Sequence, residues 1–316
     1  MSSPSSRDVH VNAALSQWAA DYENGNYLAD LIMPPTLVDK RSDVYYTFSR
    51  EDYTTVLDDE LGPDSEANET GYSQGTANYS VRDHGLKRFV PDAVQANADA
   101  PLNPEQDATD ILMNRLMLNR EVRCAAVMNA TGNYNAANTS AAANAWSDYT
   151  DGDPIGDVHT MKEALPPAPN KSKSILRLVL TEAKWHDLRA HPALRGGGES
   201  LPVVDEAKAA SILQVDEILV SDADRNTAAP GLTPVYASIW TDTNAILTRV
   251  PRGTPSGKQS GIFGITFRWK ATGSGMLVRD WRVEGRGVMG GTMVQASFSD
   301  DENVVQDDMA YLMTGV

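Results

Sequence analysis

One long helix, over residues 104–131, constrains this chain more than any other feature of its sequence. Asn103 stands where a side-chain oxygen can cap free N–H groups, and Pro104 suits a first helical position, which needs no N–H donor. Glu105, Asp107 and Asp110 come early and Arg115, Arg120 and Arg123 later, the order a helix dipole favours. Ile111, Leu118, Val122 and Ala125 make one apolar stripe at helical spacing, with Leu112 and Leu116 beside it. Gly132 is the expected stop. Roughly 27 residues at about 1.5 Å each give a spine of about 40 Å.

Upstream of the spine lie two stretches that cannot bury themselves. Residues 1–42 hold few helix or strand signals beyond Tyr27–Met33, which can form a turn of helix before Pro34 and Pro35 stop it. They read as an extended arm whose apolar residues need a neighbour. Residues 43–92 have strand composition, as in Val44-Tyr45-Tyr46-Thr47-Phe48 and Tyr53-Thr54-Thr55-Val56. Their middle, Asp58-Asp59-Glu60-Leu61-Gly62-Pro63-Asp64, is an acidic turn, and residues 51–70 carry eight acidic side chains and no basic one. Positive charge returns at Arg82, Lys87 and Arg88. The pattern predicts a long two-stranded hairpin, which is marginal without a partner surface.

Downstream, Asp153-Pro154-Ile155-Gly156-Asp157 opens a second helix that runs to about Leu165. Strands at 175–180 and 217–220 alternate with helices at 182–190 and 204–213, and the C-terminal part is mostly strand. There Leu277, Trp281 and Val283 alternate with polar residues, as do Thr292, Val294, Ala296 and Phe298. The fold class is α+β.

No catalytic constellation emerges. Of His10, His84, His159, His186 and His191, none lies in a metalloprotease pattern, and His186 and His191 flank a helix end, where terminal carbonyls are the expected partners. There is no nucleophile elbow. Gly253-Thr254-Pro255-Ser256-Gly257-Lys258-Gln259 has one residue too few between its glycines for a phosphate loop and Gln where Ser or Thr is needed. Arg195-Gly196-Gly197-Gly198 reads as a loop tip. Asp58, Asp59 and Glu60 read as a solvated turn more than a cation site, and the six tryptophans as packing residues. The single cysteine, Cys124, excludes an internal disulfide and a cysteine-based zinc site, and points to a reducing compartment. No apolar run is long enough to cross a membrane as a helix, and the N-terminus does not read as a signal peptide. A net charge of −16 argues against direct nucleic-acid binding. Such a charge keeps a protein soluble and repels DNA, and charge alone does not separate a use for that repulsion from plain solubility.

The order of these elements, together with local motifs, resembles the major capsid proteins of tailed bacteriophages, the Hong Kong 97 fold. Trp146 followed by Asp153-Pro154-Ile155-Gly156-Asp157 is similar to a signature of that family. So are Pro169-Asn170-Lys171-Ser172, then Trp185-His186-Asp187-Leu188 and His191-Pro192. Ile239-Trp240-Thr241-Asp242, Ala245-Ile246-Leu247 and Val250-Pro251 match in order, as does the ending Asp307-Asp308-Met309-Ala310-Tyr311-Leu312. The resemblance covers nearly the whole chain. It implies an N-terminal arm at 1–42, an extended loop at 43–92 and a peripheral domain at 93–165 holding the spine helix. It further implies an axial domain at 166–284 and returning C-terminal strands at 285–316.

The function so implied is structural: self-assembly through hexamers and pentamers into an icosahedral head enclosing double-stranded DNA, with no catalytic, cofactor or metal residues. Implied partners are other copies of the chain, a separate scaffolding protein, a portal, and in some members a decoration protein; no membrane is involved. The location is the virion, after assembly in the host cytoplasm. Some members crosslink a loop lysine to an asparagine, for which the loop offers only Lys87, near its base. The acidic hairpin is expected over a basic patch on the adjacent subunit, with arginines of the spine helix as candidates. The rival readings are an encapsulin-like compartment of the same fold, an α+β hydrolase, and a phage tail or decoration protein.

Overall fold

The structure is a computed structural model that describes residues 10–11, 15–16, 27–47, 56, 59–60, 66, 75–98, 103–167, 173–196, 203–229, 231–253, 261–272 and 276–316. In chain order the strands are β1 (His10–Val11), β2 (Pro35–Val38), β3 (Ser42–Thr47), β4 (Gly75–Ser80), β5 (Arg82–Pro91), β6 (Thr139–Ala141), β7 (Ser174–Thr181) and β8 (Glu217–Ser221). They continue with β9 (Asp224–Asn226), β10 (Tyr236–Ser238), β11 (Asn244–Pro251), β12 (Gly264–Trp269), β13 (Leu277–Val283), β14 (Gly291–Val304) and β15 (Ala310–Thr314). The helices are α1 (Ala29–Ile32), α2 (Asp92–Ala96), α3 (Pro104–Asn129), α4 (Pro154–Ala164), α5 (Glu182–Ala190), α6 (Pro192–Arg195) and α7 (Glu206–Leu213).

Two sheets organise these elements. One has the order β1-β13-β14-β12-β2, with β5 added on the other side of β14. The second has the order β6-β15-β11-β7-β8. Helices α4, α5 and α7 bury Val158, Met161, Trp185, Leu188 and Leu213 against its strands. The long helix α3 serves both sheets. Its first half packs Leu112, Met113 and Leu116 on Val278, Val294, Ala296 and Phe298 of the first sheet. Its second half packs Cys124, Ala125 and Met128 with Val179, Ile246 and Leu312 of the second.

The start of α3 is as expected, for the Asn103 side chain accepts N–H groups from Glu105 at 3.2 Å and Gln106 at 3.5 Å. Its end is not. The helix stops at Asn129, because side chains of Asn129, Asn133 and Tyr134 donate to the carbonyls of Ala125, Val127 and Met128 at 2.8, 2.8 and 2.5 Å. Gly132 lies beyond, in a short 3-10 turn. The expected stripe is also displaced: Ile111 is 37% exposed, while Leu112, Met113 and Leu116 are buried. Two adjacent apolar stripes run along this helix, and the polar residues decide between them. Thr109, Arg120 and Glu121 all lie on the buried side, where each has a partner.

The hairpin predicted over 43–92 is two different things. β3 pairs with β4, from Ser42↔Ser80 to Thr47↔Gly75. The following β5 leaves the hairpin and pairs along its whole length with β14, from Pro91↔Gly291 to Arg82↔Asp300. The acidic turn expected between them lies mostly outside the described residues. In β13 the fully buried residue is Val278, whereas Leu277, Trp281 and Val283 are only partly buried. The alternation read in the sequence belongs to the sheet face turned away from α3.

Candidate functional site

The resemblance read in the sequence makes the arm and the hairpin the segments expected to meet other copies, so the candidate site is the set of contacts that hold their bases. The expectation that the arm's apolar residues need a neighbour fails for four residues of the 27–38 stretch, while Leu31 and Leu37 stay exposed. Leu28, Ala29, Ile32 and Met33 are buried in the chain's own core, beside Cys124, Met128 and Trp240. β2 continues from there as a parallel edge strand on β12. Polar groups fix this segment. The Met33 carbonyl accepts from the Thr266 hydroxyl at 2.8 Å, and the Ala29 N–H donates to Glu121 at 2.8 Å. The other oxygen of Glu121 accepts the indole N–H of Trp240 at 2.7 Å. Residues 1–9, 12–14 and 17–26 of the expected arm lie outside the described residues.

An ionic junction lies where α3 crosses the first sheet. Asp300 of β14, with a fully buried side chain, is 3.1 Å from Arg123, 3.5 Å from Arg268 and 3.6 Å from Arg120. Arg123 also holds Glu302 at 3.0 Å. Arg120 pairs in addition with Asp30 of α1. The junction thus links α1, α3, β12 and β14. Burial, and then the Glu302 carboxylate, push Asp300 up to about 6, against the pull of the three guanidiniums. His84 of β5, 3.6 Å from Asp300, is held below its ordinary value by burial and by Arg123. The sequence expectation that spine arginines face an adjacent subunit's hairpin is therefore corrected for Arg120 and Arg123, which are engaged inside the chain. Arg115 is exposed.

The base of the hairpin is a small aromatic cluster. Tyr79 stacks on Phe267 with ring centres 4.5 Å apart, and Tyr45 lies 5.0 Å from the same ring. The Tyr45 hydroxyl donates to the Val304 carbonyl at 2.9 Å, and the Ser80 N–H donates to Asp301 at 2.9 Å. The hairpin therefore leaves the sheet from a fixed seat.

Several sequence motifs prove to be local braces. The Trp146 indole donates to Asp157 at 2.8 Å, and Asp153 caps α4 through the Gly156 N–H at 3.0 Å. Among the described residues the His191 side chain meets no terminal carbonyl; its Nδ1 accepts the Ala193 N–H at 3.2 Å and caps α6. His186 is exposed on α5, and His159 pairs with Glu163 one turn on. Lys87 is exposed on β5. Asp58 and residues 254–260 of the glycine-bearing loop lie outside the described residues, as do Gly197 and Gly198. Among the described residues no three His, Cys, Asp or Glu side chains are placed to hold a metal ion, and no helix is long and apolar enough to cross a membrane. The ionic junction and the Glu121 contacts were not read from the sequence, because their members are scattered from residue 29 to residue 302.

With this geometry in hand, the chain can be set beside known proteins. No family model matches the sequence. A major capsid protein of Pseudomonas phage JBD67 is 27% identical over 307 residues, 95% of each chain. A phage-related protein from Bordetella bronchiseptica has a solved structure similar at a TM-score of 0.71 and 20% identity, covering 96% of this chain and 97% of that one. The capsid of cyanophage P-SCSP1u is similar at a TM-score of 0.56 and 13% identity, covering 90% and 86%. This is a phage capsid fold. Encapsulin shells also use it, so the phage capsid reading over the encapsulin one leans on the sequence likeness.

Proposed function

We infer that the chain is a phage major capsid protein, which builds the shell by association with copies of itself and performs no chemistry there. The observation that carries this reading is the full-length likeness to a named major capsid protein, 95% of each chain, on a capsid fold. The finer parts follow from the reading. The phage is tailed, the subunits associate through hexamers and pentamers, and the enclosed genome is double-stranded DNA, held without sequence-specific contacts by a wall of net charge −16. A scaffolding protein and a portal are the further partners, joined in some members of the family by a decoration protein. Residues 93–165 and 166–284 serve as peripheral and axial domains, 1–42 as arm, 43–92 as extended loop and 285–316 as returning strands. Assembly takes place in the host cytoplasm.

The encapsulin reading differs from this one only in cargo. Expression in bacteria, pelleting of the high-mass fraction and negative-stain electron microscopy test both. Closed shells, or hexamers and pentamers, are expected. A monomer at high concentration, even with the neighbouring genes co-expressed, overturns the shell reading. A dedicated protein cargo in purified shells would favour the encapsulin form.

A further inference from the structure

β7 and β8 are parallel neighbours in the second sheet, joined by α5, α6 and α7. The carboxyl ends of such strands are where open sheets with helical crossovers take up ligands. Here that end opens into a cleft of about 470 Å³, between the start of α5, the β8–β9 link, β10 and the loop before β11. The size suits a small molecule. Glu182, Asp222, Asp224 and Asp242 line it, and no Lys, Arg or His does so among the described residues. All four carboxylates are exposed, and none has an ion-pair or hydrogen-bond partner among the described residues.

Exposed carboxylates alone would be a solvated rim, and the floor of the cleft makes it more than that. Thr181 and Ser221 are opposite one another in the register and each is 2% exposed. By strand alternation they rise on the face that Val179 and Leu219 share, and both line the cleft. The Thr181 Oγ1 has no hydrogen-bond partner among the described residues. Thr181 stands at the cap position of α5, where a threonine hydroxyl ordinarily accepts a helix N–H, yet this one accepts none. A buried hydroxyl in that condition is unfavourable, and a donor entering the cleft relieves it. Asp242 ends the Ile239–Asp242 motif whose Trp240 is committed to Glu121, and its own carboxylate faces the cleft.

The spacing of the carboxylates selects the ligand. No three of them are grouped to hold one metal ion, so a single divalent cation is a poor fit. An aliphatic chain with several ammonium groups can give separate carboxylates separate partners, with its methylenes against Ala183 and Ala237. Tyr236, 70% exposed in the same lining, offers a ring of the kind that attracts organic cations. We propose that this cleft binds a free aliphatic polyamine, whose ammonium groups donate to the four carboxylates and to the Thr181 hydroxyl. Every residue used belongs to one copy, so the proposal stands apart from the shell reading.

Isothermal titration calorimetry of the purified full-length chain with spermidine tests it, and one saturable site per chain is expected. Asp222→Asn with Asp242→Asn should weaken binding about tenfold. Thr181→Val, which keeps the side-chain shape, should also weaken it about tenfold, and the surface change Tyr236→Ala about threefold. Glu163→Gln with Glu284→Gln removes the same charge outside the cleft and should leave the affinity unchanged. Circular dichroism checks that each variant is folded. The proposal is overturned by binding that never saturates, or by equal weakening in the two double variants, which would mean general attraction to a chain of net charge −16. Displacement of spermidine by magnesium chloride at equal concentration would overturn it too. N-acetyl-lysine methylamide, with one ammonium group, should bind far more weakly than spermidine. Equal affinity would overturn the polyamine in favour of a lysine side chain from another protein.

Discussion

Trp240 donates its indole N–H to Glu121 at 2.7 Å, and both side chains are buried. Because the second carboxylate oxygen takes the Ala29 N–H, one side chain of α3 holds the arm segment and the approach to β11 together. Burial raises the Glu121 pKa, while its N–H donors pull the other way. Glu121→Ala removes both acceptors and is expected to cost about 3–5 kcal/mol in urea unfolding of the unassembled chain, near the upper range for a disrupted buried network. Trp240→Phe should cost about 1–3 kcal/mol, and the double variant less than the sum, since the two share one interaction.

Asp300 sets a pH dependence. Its folded pKa of about 6 lies above the ordinary 3.8, so the folded state binds this proton more tightly than the unfolded state. The stability it contributes is present in full below the unfolded value and is lost as pH rises through about 6. Relative to Asp300→Asn, the native chain should therefore gain stability as pH falls from 7 to 4, by about 2–3 kcal/mol at roughly 1.4 kcal/mol per pKa unit. Parallel denaturant midpoints for the two chains would show it, and a constant difference between them would contradict it.

The seat of the hairpin can be loosened alone. Phe267→Ala removes the ring on which Tyr79 stacks and is expected to cost about 3–5 kcal/mol by cavity formation. Amide hydrogen exchange should quicken in β3 and β4 far more than in α3. Equal quickening in both would mean that the hairpin has no independent seat.

The brace at the start of α4 is predicted to be modest. Trp146→Phe keeps one aromatic ring but loses the N–H donated to Asp157 and some buried volume, for about 1–3 kcal/mol. Asp153→Ala removes the cap at the Gly156 N–H, for about 1 kcal/mol. Thermal melts should show both effects adding incompletely, because the two contacts share one helix end.

What could be read from the chain was what neighbouring residues decide among themselves. The Asn103-Pro104 start of α3, the Asp153-Pro154 start of α4 and the span Glu182–Ala190 of α5 follow from caps and periodicity. What escaped depends on distant partners. Which stripe of α3 is buried is settled by Asp30, Thr266 and Trp240. β5 looked like a hairpin leg until β14 supplied a longer partner. The strand β13 was legible from its alternation, but which face α3 covers was not, because Leu277, Trp281 and Val283 are apolar and only Val278 is fully buried.

The pairing of β5 with β14 also sets a clock. Asp83 and Ser299, hydrogen-bonded in the finished sheet, are 216 residues apart, and Met33 and Thr266 are 233 apart. A ribosome adding roughly 5–20 residues per second needs about 10–40 s to cross such a gap. Throughout that time β5 has emerged without the strand that completes it, and an unpaired strand is a template for any other chain nearby. Chains still being made therefore expose β5 to one another for that interval, which a finished subunit never does.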